Sequence, residues 1–159
     1  MIVYRELVAE DRPVITAILK RIPEFAPDEL PVAEEVLDDS LDESHESGYY
    51  TIVALKGGRP IGYATYGNTP LSKGNWEIYW AAVDPSEQGH GTGRELMYRC
   101  EAAIKQRGGW QITLETSSTP QYERTRLFHL SCGYTEIARI PNFYDRDDDL
   151  VVYFKTLDK

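Results

Sequence analysis

A short glycine-rich turn between residues 83 and 94 constrains this chain more than any other feature of its sequence. It reads VDPSEQGHGTGR, with an apolar run before it and helical spacing of apolar residues after it. Glycine lets a backbone turn sharply and approach a ligand closely, and the free N–H groups at a helix start favour negative charge. The turn therefore predicts a phosphate or pyrophosphate site. A tight turn without a ligand is the alternative, because alternate glycines alone are weak evidence.

The spacing of these glycines excludes two common phosphate-binding motifs. A Walker loop needs glycine, any four residues and then Gly-Lys followed by Ser or Thr, and the chain lacks that sequence. A dinucleotide fingerprint needs a third glycine three residues after a Gly-x-Gly pair, where this chain has Arg94 or Leu96. A different phosphate ligand is therefore expected.

Strand-like and helix-like patterns alternate along the rest of the chain. Paired glycines at 57 and 58 separate two β-rich runs and predict a hairpin. Predicted strands cover 2–7, 51–57, 59–67, 76–83, 110–115, 134–140 and 149–155, and predicted helices cover 14–19, 28–46, 91–107 and 120–131. This order predicts one α/β/α domain over residues 1–159, with three layers and a mixed sheet.

The distribution of apolar residues and cysteines predicts where the protein is located in the cell. No window approaches the roughly 20 apolar residues of a membrane helix, and the first residues, MIVYRELVAED, lack the pattern of a secretory leader. We therefore expect a soluble, cytoplasmic protein. Cys100 and Cys132 have no metal-ligand spacing, which predicts reduced, packed thiols and no metal site.

Net charge disfavours two classes of partner. The chain carries a formal charge of −9, which opposes non-specific binding to nucleic acid or to an anionic membrane and favours cationic partners. Much of that charge lies in the acidic helix over residues 28–46. A solvated helix face is the simpler interpretation, and a surface that attracts amines is the alternative.

Two motifs resemble those of a known family. Gln88-x-x-Gly91-x-Gly93, preceded by Ala81-Ala82-Val83-Asp84-Pro85, is similar to the pyrophosphate-binding motif of the GNAT superfamily of acetyltransferases. Tyr122-x-x-Thr125-x-x-Phe128-His129-x-x-x-Gly133-Tyr134 resembles a later helix and strand of that family. The resemblance implies a mostly antiparallel mixed sheet and a V-shaped opening between two central strands.

The same resemblance implies a cosubstrate, a reaction and a binding site. Acetyl-CoA would donate its acetyl group directly to a primary amine of a small molecule or peptide, and a homodimer is plausible. Backbone groups of Ala81 and Val83 would hold the pantetheine. The pyrophosphate would be bound by the amides of Gln88, Gly89, His90, Gly91, Thr92, Gly93 and Arg94. The guanidinium of Arg94 is a further phosphate ligand or simply an exposed charge, and the side chain of His90 is not expected to be catalytic.

Transfer to an amine also requires a base. Glu77 is the first candidate, because some relatives carry their base six residues before the position of Val83. Strand alternation predicts that Glu77, Tyr79, Ala81 and Val83 share one face. Glu115, at the end of a predicted strand, is the reserve candidate. For each carboxylate the alternative is an ordinary exposed residue.

The proton donor is the point where this sequence departs from the family. Many relatives place tyrosine four residues before the Gly-aromatic pair, where this chain has His129. An imidazolium could donate a proton to a thiolate, or His129 could be a helix residue without a chemical role. Tyr122 is another possible donor or CoA contact. This departure keeps open a non-catalytic acyl-CoA-binding or sensor domain. Tyr144 and the neighbouring aspartates fall in the last loop, for which a border of the acceptor site is one interpretation and a charged hairpin tip the simpler one.

Overall fold

The structure is a computed structural model that describes residues 1–157. Its elements follow the predicted order, with short 3-10 turns before each helix. The strands are β1 (Ile2–Glu6), β2 (Tyr49–Lys56), β3 (Arg59–Asn68), β4 (Asn75–Val83), β5 (Gln111–Ser117), β6 (Thr135–Asp145) and β7 (Asp148–Thr156). The helices are α1 (Arg12–Lys20), α2 (Leu30–Leu41), α3 (Thr92–Gln106) and α4 (Glu123–Ser131).

All strands join one seven-stranded sheet in the order β1-β2-β3-β4-β5-β7-β6. Only β4 and β5 run parallel, and the other neighbours are antiparallel. The predicted hairpin forms where Gly57 and Gly58 take φ angles of +59° and +78°, which glycine adopts without strain. The predicted mixed, mostly antiparallel sheet is therefore confirmed.

Helices cover both faces of the sheet and bury two apolar cores. One core, here called the α3 core, forms where α3 packs Leu96, Met97, Cys100 and Ile104 onto the sheet. The other, the α1–α2 core, contains Ile15 and Leu19 of α1 with Ala33 and Leu37 of α2. These residues recur at helical spacing, so each helix presents one apolar stripe to the sheet. The result is the predicted three-layer arrangement.

Several boundaries differ from the sequence prediction. The acidic helix was predicted over 28–46, but α2 ends at Leu41 because Asp42 has extended backbone angles. Strand β6 continues to Asp145 instead of ending near 140. Its ladder to β7 is interrupted after Ile140, where Pro141 and the left-handed Asn142 (φ +54°) follow, and it resumes at Asp145.

Two further expectations concern thiols and membranes. Both cysteines are free; Cys100 is fully buried and Cys132 partly buried. Burial raises the pKa of the Cys100 thiol, which keeps it protonated. Across residues 1–157, none of the helices is long and apolar enough to cross a membrane.

Candidate active site

The sheet splits between β4 and β5. Among the described residues, these parallel strands pair only from Asn75 to Glu77 of β4. Beyond Glu77, β4 continues to Val83 and β5 continues to Ser117 without pairing to each other. At the closed end, the Asn75 amide donates to Thr113 Oγ1 at 2.9 Å. The two strands therefore leave a wedge, here called the β4–β5 opening, as the resemblance implied.

A β-bulge in β4 lies beside this opening. Strand β3 pairs Tyr66 with Ile78 and Thr65 with Trp80, so Tyr79 has no partner in the ladder. A bulge bends its strand and shifts the alternation of side chains by one residue. Strand β4 thus changes direction just after its pairing with β5 ends.

The bulge separates two sets of predicted site residues onto opposite faces of the sheet. Before it, Trp76 and Ile78 pack in the α3 core; after it, Trp80 and Ala82 pack in the α1–α2 core. Glu77 therefore lies on the α1–α2 face, whereas Ala81 and Val83 lie on the α3 face. The prediction that Glu77, Tyr79, Ala81 and Val83 share one face is wrong, because it assumed an unbroken alternation.

The turn after β4 is held by a buried carboxylate. Asp84 accepts hydrogen bonds from the backbone N–H of Ser86 at 3.1 Å and from its hydroxyl at 3.0 Å. Arg21, just beyond the end of α1, forms an ion pair with the same carboxylate. Burial alone would raise the pKa of Asp84, but the bonds from Ser86 and Arg21 outweigh it and hold that pKa below its usual value. The start of the glycine turn is therefore fixed in place.

The glycines then lead directly into α3. Gly89 and Gly91 have φ angles of +86° and +85°, in the left-handed region that glycine adopts freely. No side chain of residues 1–157 caps the start of α3. The first-turn amides at 92–94 have no intrahelical partner, so they can bind an anion. This geometry fits a pyrophosphate, and the amides from 88 to 94 stay its predicted ligands.

The side chains of Gln88 and Arg94 form hydrogen bonds with other residues of the protein. Gln88 donates from Nε2 to the carbonyl oxygen of Val83 at 3.0 Å and accepts from Arg124 at 2.9 Å. Arg94 donates to the carbonyl oxygen of Ser131 at 2.8 Å and to its hydroxyl at 3.2 Å. The guanidinium of Arg94 thus joins α3 to the end of α4, a role that the predicted phosphate contact did not include.

Glu77, the predicted base, is held at the narrow end of the β4–β5 opening. Its Oε2 accepts hydrogen bonds from the hydroxyls of Tyr79 at 3.1 Å and Thr69 at 3.4 Å. Glu115, on β5, lies on the same face, because its neighbour Leu114 packs in the α3 core. Partial burial and then the charge of Glu77 raise the pKa of Glu115. The base and its reserve candidate are therefore close enough to interact.

The two candidate proton donors, His129 and Tyr122, lie in different environments. His129 is buried among aromatic rings, including Tyr134 and Tyr153 in the α3 core. Burial lowers its pKa to about 4, so the imidazole is neutral near pH 7, which favours the alternative of a helix residue without a chemical role. Tyr122 donates its hydroxyl to the carbonyl oxygen of Glu24 at 2.8 Å, and burial raises its pKa. Tyr122 is thus a protonated phenol at neutral pH.

Two tyrosines near the carboxylates were not singled out as site residues. Tyr79 bonds to Glu77, and burial followed by the charge of Glu77 raises its pKa. Burial, followed by the charges of Glu115 and Asp148, raises the pKa of Tyr144 to about 12. Tyr144 is about half exposed near the end of β6, and the charge of Glu115 acts on it. Closeness in sequence to Glu77 could have indicated Tyr79, whereas only its place in the last loop draws attention to Tyr144.

A split mixed sheet with a glycine turn that opens a helix defines an acyltransferase type of architecture. The model of the Acetyltransferase (GNAT) family matches residues 14–134. The chain is 30% identical to a GNAT-family protein of known structure from Desulfovibrio desulfuricans, with a TM-score of 0.95 and 99% of each chain covered. The chain therefore belongs to the GNAT family of acetyltransferases.

More distant structures share the fold. An acetyl-CoA complex of yncA from Salmonella typhimurium is 22% identical, with a TM-score of 0.79 over 99% of this chain and 95% of that one. An aminoglycoside 6'-N-acetyltransferase in complex with coenzyme A is 18% identical, with a TM-score of 0.78 over 99% and 98%. A search of curated proteins found no match. The predicted family is confirmed, and the predicted cosubstrate agrees with these two complexes.

Proposed function

We propose that the chain is an acetyl-CoA-dependent N-acetyltransferase that acetylates a primary amine of a small molecule or peptide by direct transfer. The observation that carries this proposal is the β4–β5 opening. The glycine turn follows the strand on one side of the opening, and Glu77 lies where the strands part. A thioester in this opening would reach an amine that enters from the face of Glu77.

The cosubstrate fits the residues on the α3 face. The unpaired edge of β4 beyond the bulge offers backbone groups of Ala81 and Val83 to the pantetheine, and the free amides at the start of α3 suit the pyrophosphate. When bound, acetyl-CoA supplies a thioester carbonyl for attack and a thiol as leaving group. A backbone N–H of β4 would polarise the carbonyl oxygen.

Glu77 is the proposed base, acting through a water molecule. It takes one proton from the acceptor ammonium, so that the neutral nitrogen bonds to the carbonyl carbon as the carbon–sulfur bond breaks. The hydroxyls of Tyr79 and Thr69 position the carboxylate for this step. Tyr122 is the proposed donor to the departing sulfur, and it recovers its proton, through solvent, from the acylated nitrogen. His129 is neutral and is not required as an acid.

The acceptor side carries negative charge. Glu77 and Glu115 form no ion pair with a Lys or Arg of residues 1–157. Besides burial, Glu115 raises the pKa of Tyr144 together with Asp148 and Glu29, so the negative charges of these carboxylates act on one side chain. A cationic amine would compensate this charge, which favours polyamines, aminoglycosides or basic peptides as acceptors.

The test combines binding and turnover. Acetyl-CoA binding is measured by calorimetry, and CoA release is followed against polyamines, aminoglycosides, amino acids and lysine peptides. Glu77→Gln should keep acetyl-CoA affinity and lower kcat by about 100-fold or more, the usual loss for a general base. Glu136→Gln removes an exposed carboxylate of β6 and serves as the matched control.

The outcomes separate the proposal from its rivals. Equal turnover in Glu77→Gln and the parent protein would eliminate Glu77 as the base, and a loss in Glu115→Gln would assign that role to Glu115. Acetyl-CoA binding without turnover of any acceptor would support the sensor domain. Absence of acetyl-CoA binding would refute the proposed function.

A further inference from the structure

Arg124 lies on the face of α4 that points toward the glycine turn. Phe128, four residues later in the helix, is on the same side, and it packs against the turn: a Cβ placed on Gly93 would lie 3.3 Å from its ring. Val83 at the end of β4 is also within 3.7 Å of that Cβ position. This contact fixes the stretch of α4 around Arg124 next to the turn.

The guanidinium of Arg124 reaches the first residue of the turn. It donates to Oε1 of Gln88 at 2.9 Å. The Nε2 of the same amide donates to the carbonyl oxygen of Val83 at 3.0 Å. Because α4 follows β5 and the turn follows β4, this chain of bonds crosses the wide end of the β4–β5 opening. Arg124 is therefore placed where the pantetheine arm would meet the pyrophosphate.

The contacts of Arg124 with Gln88 and Glu24 are exposed to solvent. Its side chain is 75% exposed, and its ion pair with Glu24 spans 3.8 Å. Such an exposed pair contributes little, so the guanidinium can change partners at low cost. Three other cations near the turn bond to a carboxylate or a backbone carbonyl: Arg94 bonds to Ser131, Arg21 to Asp84 and Lys56 to Glu87.

We propose that the guanidinium of Arg124 binds the pyrophosphate of acetyl-CoA, opposite the backbone amides of the glycine turn. This inference rests on the proposed function, because it assumes that the turn binds acetyl-CoA. A planar guanidinium can donate two parallel hydrogen bonds to phosphate oxygens. It supplies positive charge at a site of a chain whose formal charge is −9. The sequence motif does not include Arg124, which the fold brings to the turn from a separate helix.

The experiment measures binding rather than turnover. Dissociation constants for acetyl-CoA are determined by calorimetry for the parent protein, Arg124→Gln and Arg139→Gln. Arg139 is an exposed arginine of β6 paired with Glu136, so its replacement removes the same charge away from the opening. We expect Arg124→Gln to raise Kd about tenfold, as for loss of a charge-assisted bond, and Arg139→Gln to leave it unchanged. Because Arg124 is exposed, all three proteins should unfold at the same temperature.

Two ligand analogues locate the contact. Acetyl-dephospho-CoA lacks the 3′-phosphate, so its Kd for Arg124→Gln should again be about tenfold higher than its Kd for the parent. S-acetyl-pantetheine lacks the pyrophosphate and the 3′-phosphate, so its Kd should be the same for Arg124→Gln and the parent. Equal Kd values of Arg124→Gln and the parent for acetyl-dephospho-CoA would overturn the assignment to the pyrophosphate. Equal Kd values for acetyl-CoA in Arg124→Gln and the parent would overturn the inference while leaving the proposed function intact; a parent protein that does not bind acetyl-CoA would overturn both.

Discussion

Replacement of His129 by Phe should remove a pH-dependent loss of stability. His129 is 9% exposed, and its Nδ1 is buried without a hydrogen-bond partner among the described residues. Phe128, Tyr134 and Tyr153 surround the ring. Such a pocket accommodates a neutral imidazole and excludes its cation, which burial would deprive of water.

The magnitude follows from proton linkage. Burial lowers the pKa of His129 from 6.5 to about 4 in the folded state. Between those values the unfolded chain binds a proton that the native protein does not, so the free energy of unfolding decreases as pH falls below 6.5. At about pH 5 the loss is about 2 kcal/mol, and below about pH 4 it approaches about 3 kcal/mol. No contribution is expected above pH 6.5, where the residue is neutral in both states.

Urea unfolding at several pH values measures this loss. The difference in unfolding free energy between His129→Phe and the parent should change by about 2 kcal/mol from about pH 7.5 to about pH 5, in favour of the variant at low pH. His90→Asn removes a histidine from the exposed glycine turn and is the control. Parallel pH dependences for His129→Phe and the parent would refute the buried neutral imidazole. They would also restore His129 as a possible cationic acid.

Two further predictions concern β3 and β4. Gly62→Ala should destabilise the fold by about 1–3 kcal/mol in urea unfolding, since overpacking has that cost and the new Cβ would lie 2.8 Å from the carbonyl oxygen of Ala82. Gly58→Ala, at φ +78° with nothing within 4 Å, should lose about 1–2 kcal/mol through backbone strain alone, and an unchanged stability of Gly62→Ala would refute the steric account. Tyr79→Phe should lower kcat about tenfold at an unchanged Kd for acetyl-CoA, because it removes a hydrogen bond to Glu77. A raised Kd with normal kcat would place Tyr79 on the cosubstrate instead.

Local patterns were sufficient for the order of elements in the fold. Apolar periodicity located the strands and helices, and the glycine pair at 57 and 58 located the hairpin, because both depend on neighbouring residues. Boundaries failed where tertiary context decided them. The ladder of β6 breaks at Pro141 but resumes at Asp145, which pairs with Asp148 of β7.

The state of a site residue could be predicted from the sequence only where its contacts come from residues nearby in the chain. The glycine turn is a contiguous stretch, so its conformation and the free amides of α3 could be predicted. The neutral state of His129 depends on Tyr153, which comes from a distant strand. Arg124 reaches the glycine turn through α4, and no spacing in the sequence indicates that.

In the proposed mechanism, the bulge at Tyr79 allows one strand to serve two substrates. With unbroken alternation, Glu77 would project to the same face as Ala81 and Val83, and the base would compete with the pantetheine for space. One extra residue turns the later part of β4, so that these groups project to opposite faces of the sheet. The same bend follows the last pair between β4 and β5 and accompanies their separation. Under the proposed function, amine and thioester would therefore approach each other through the opening from opposite sides.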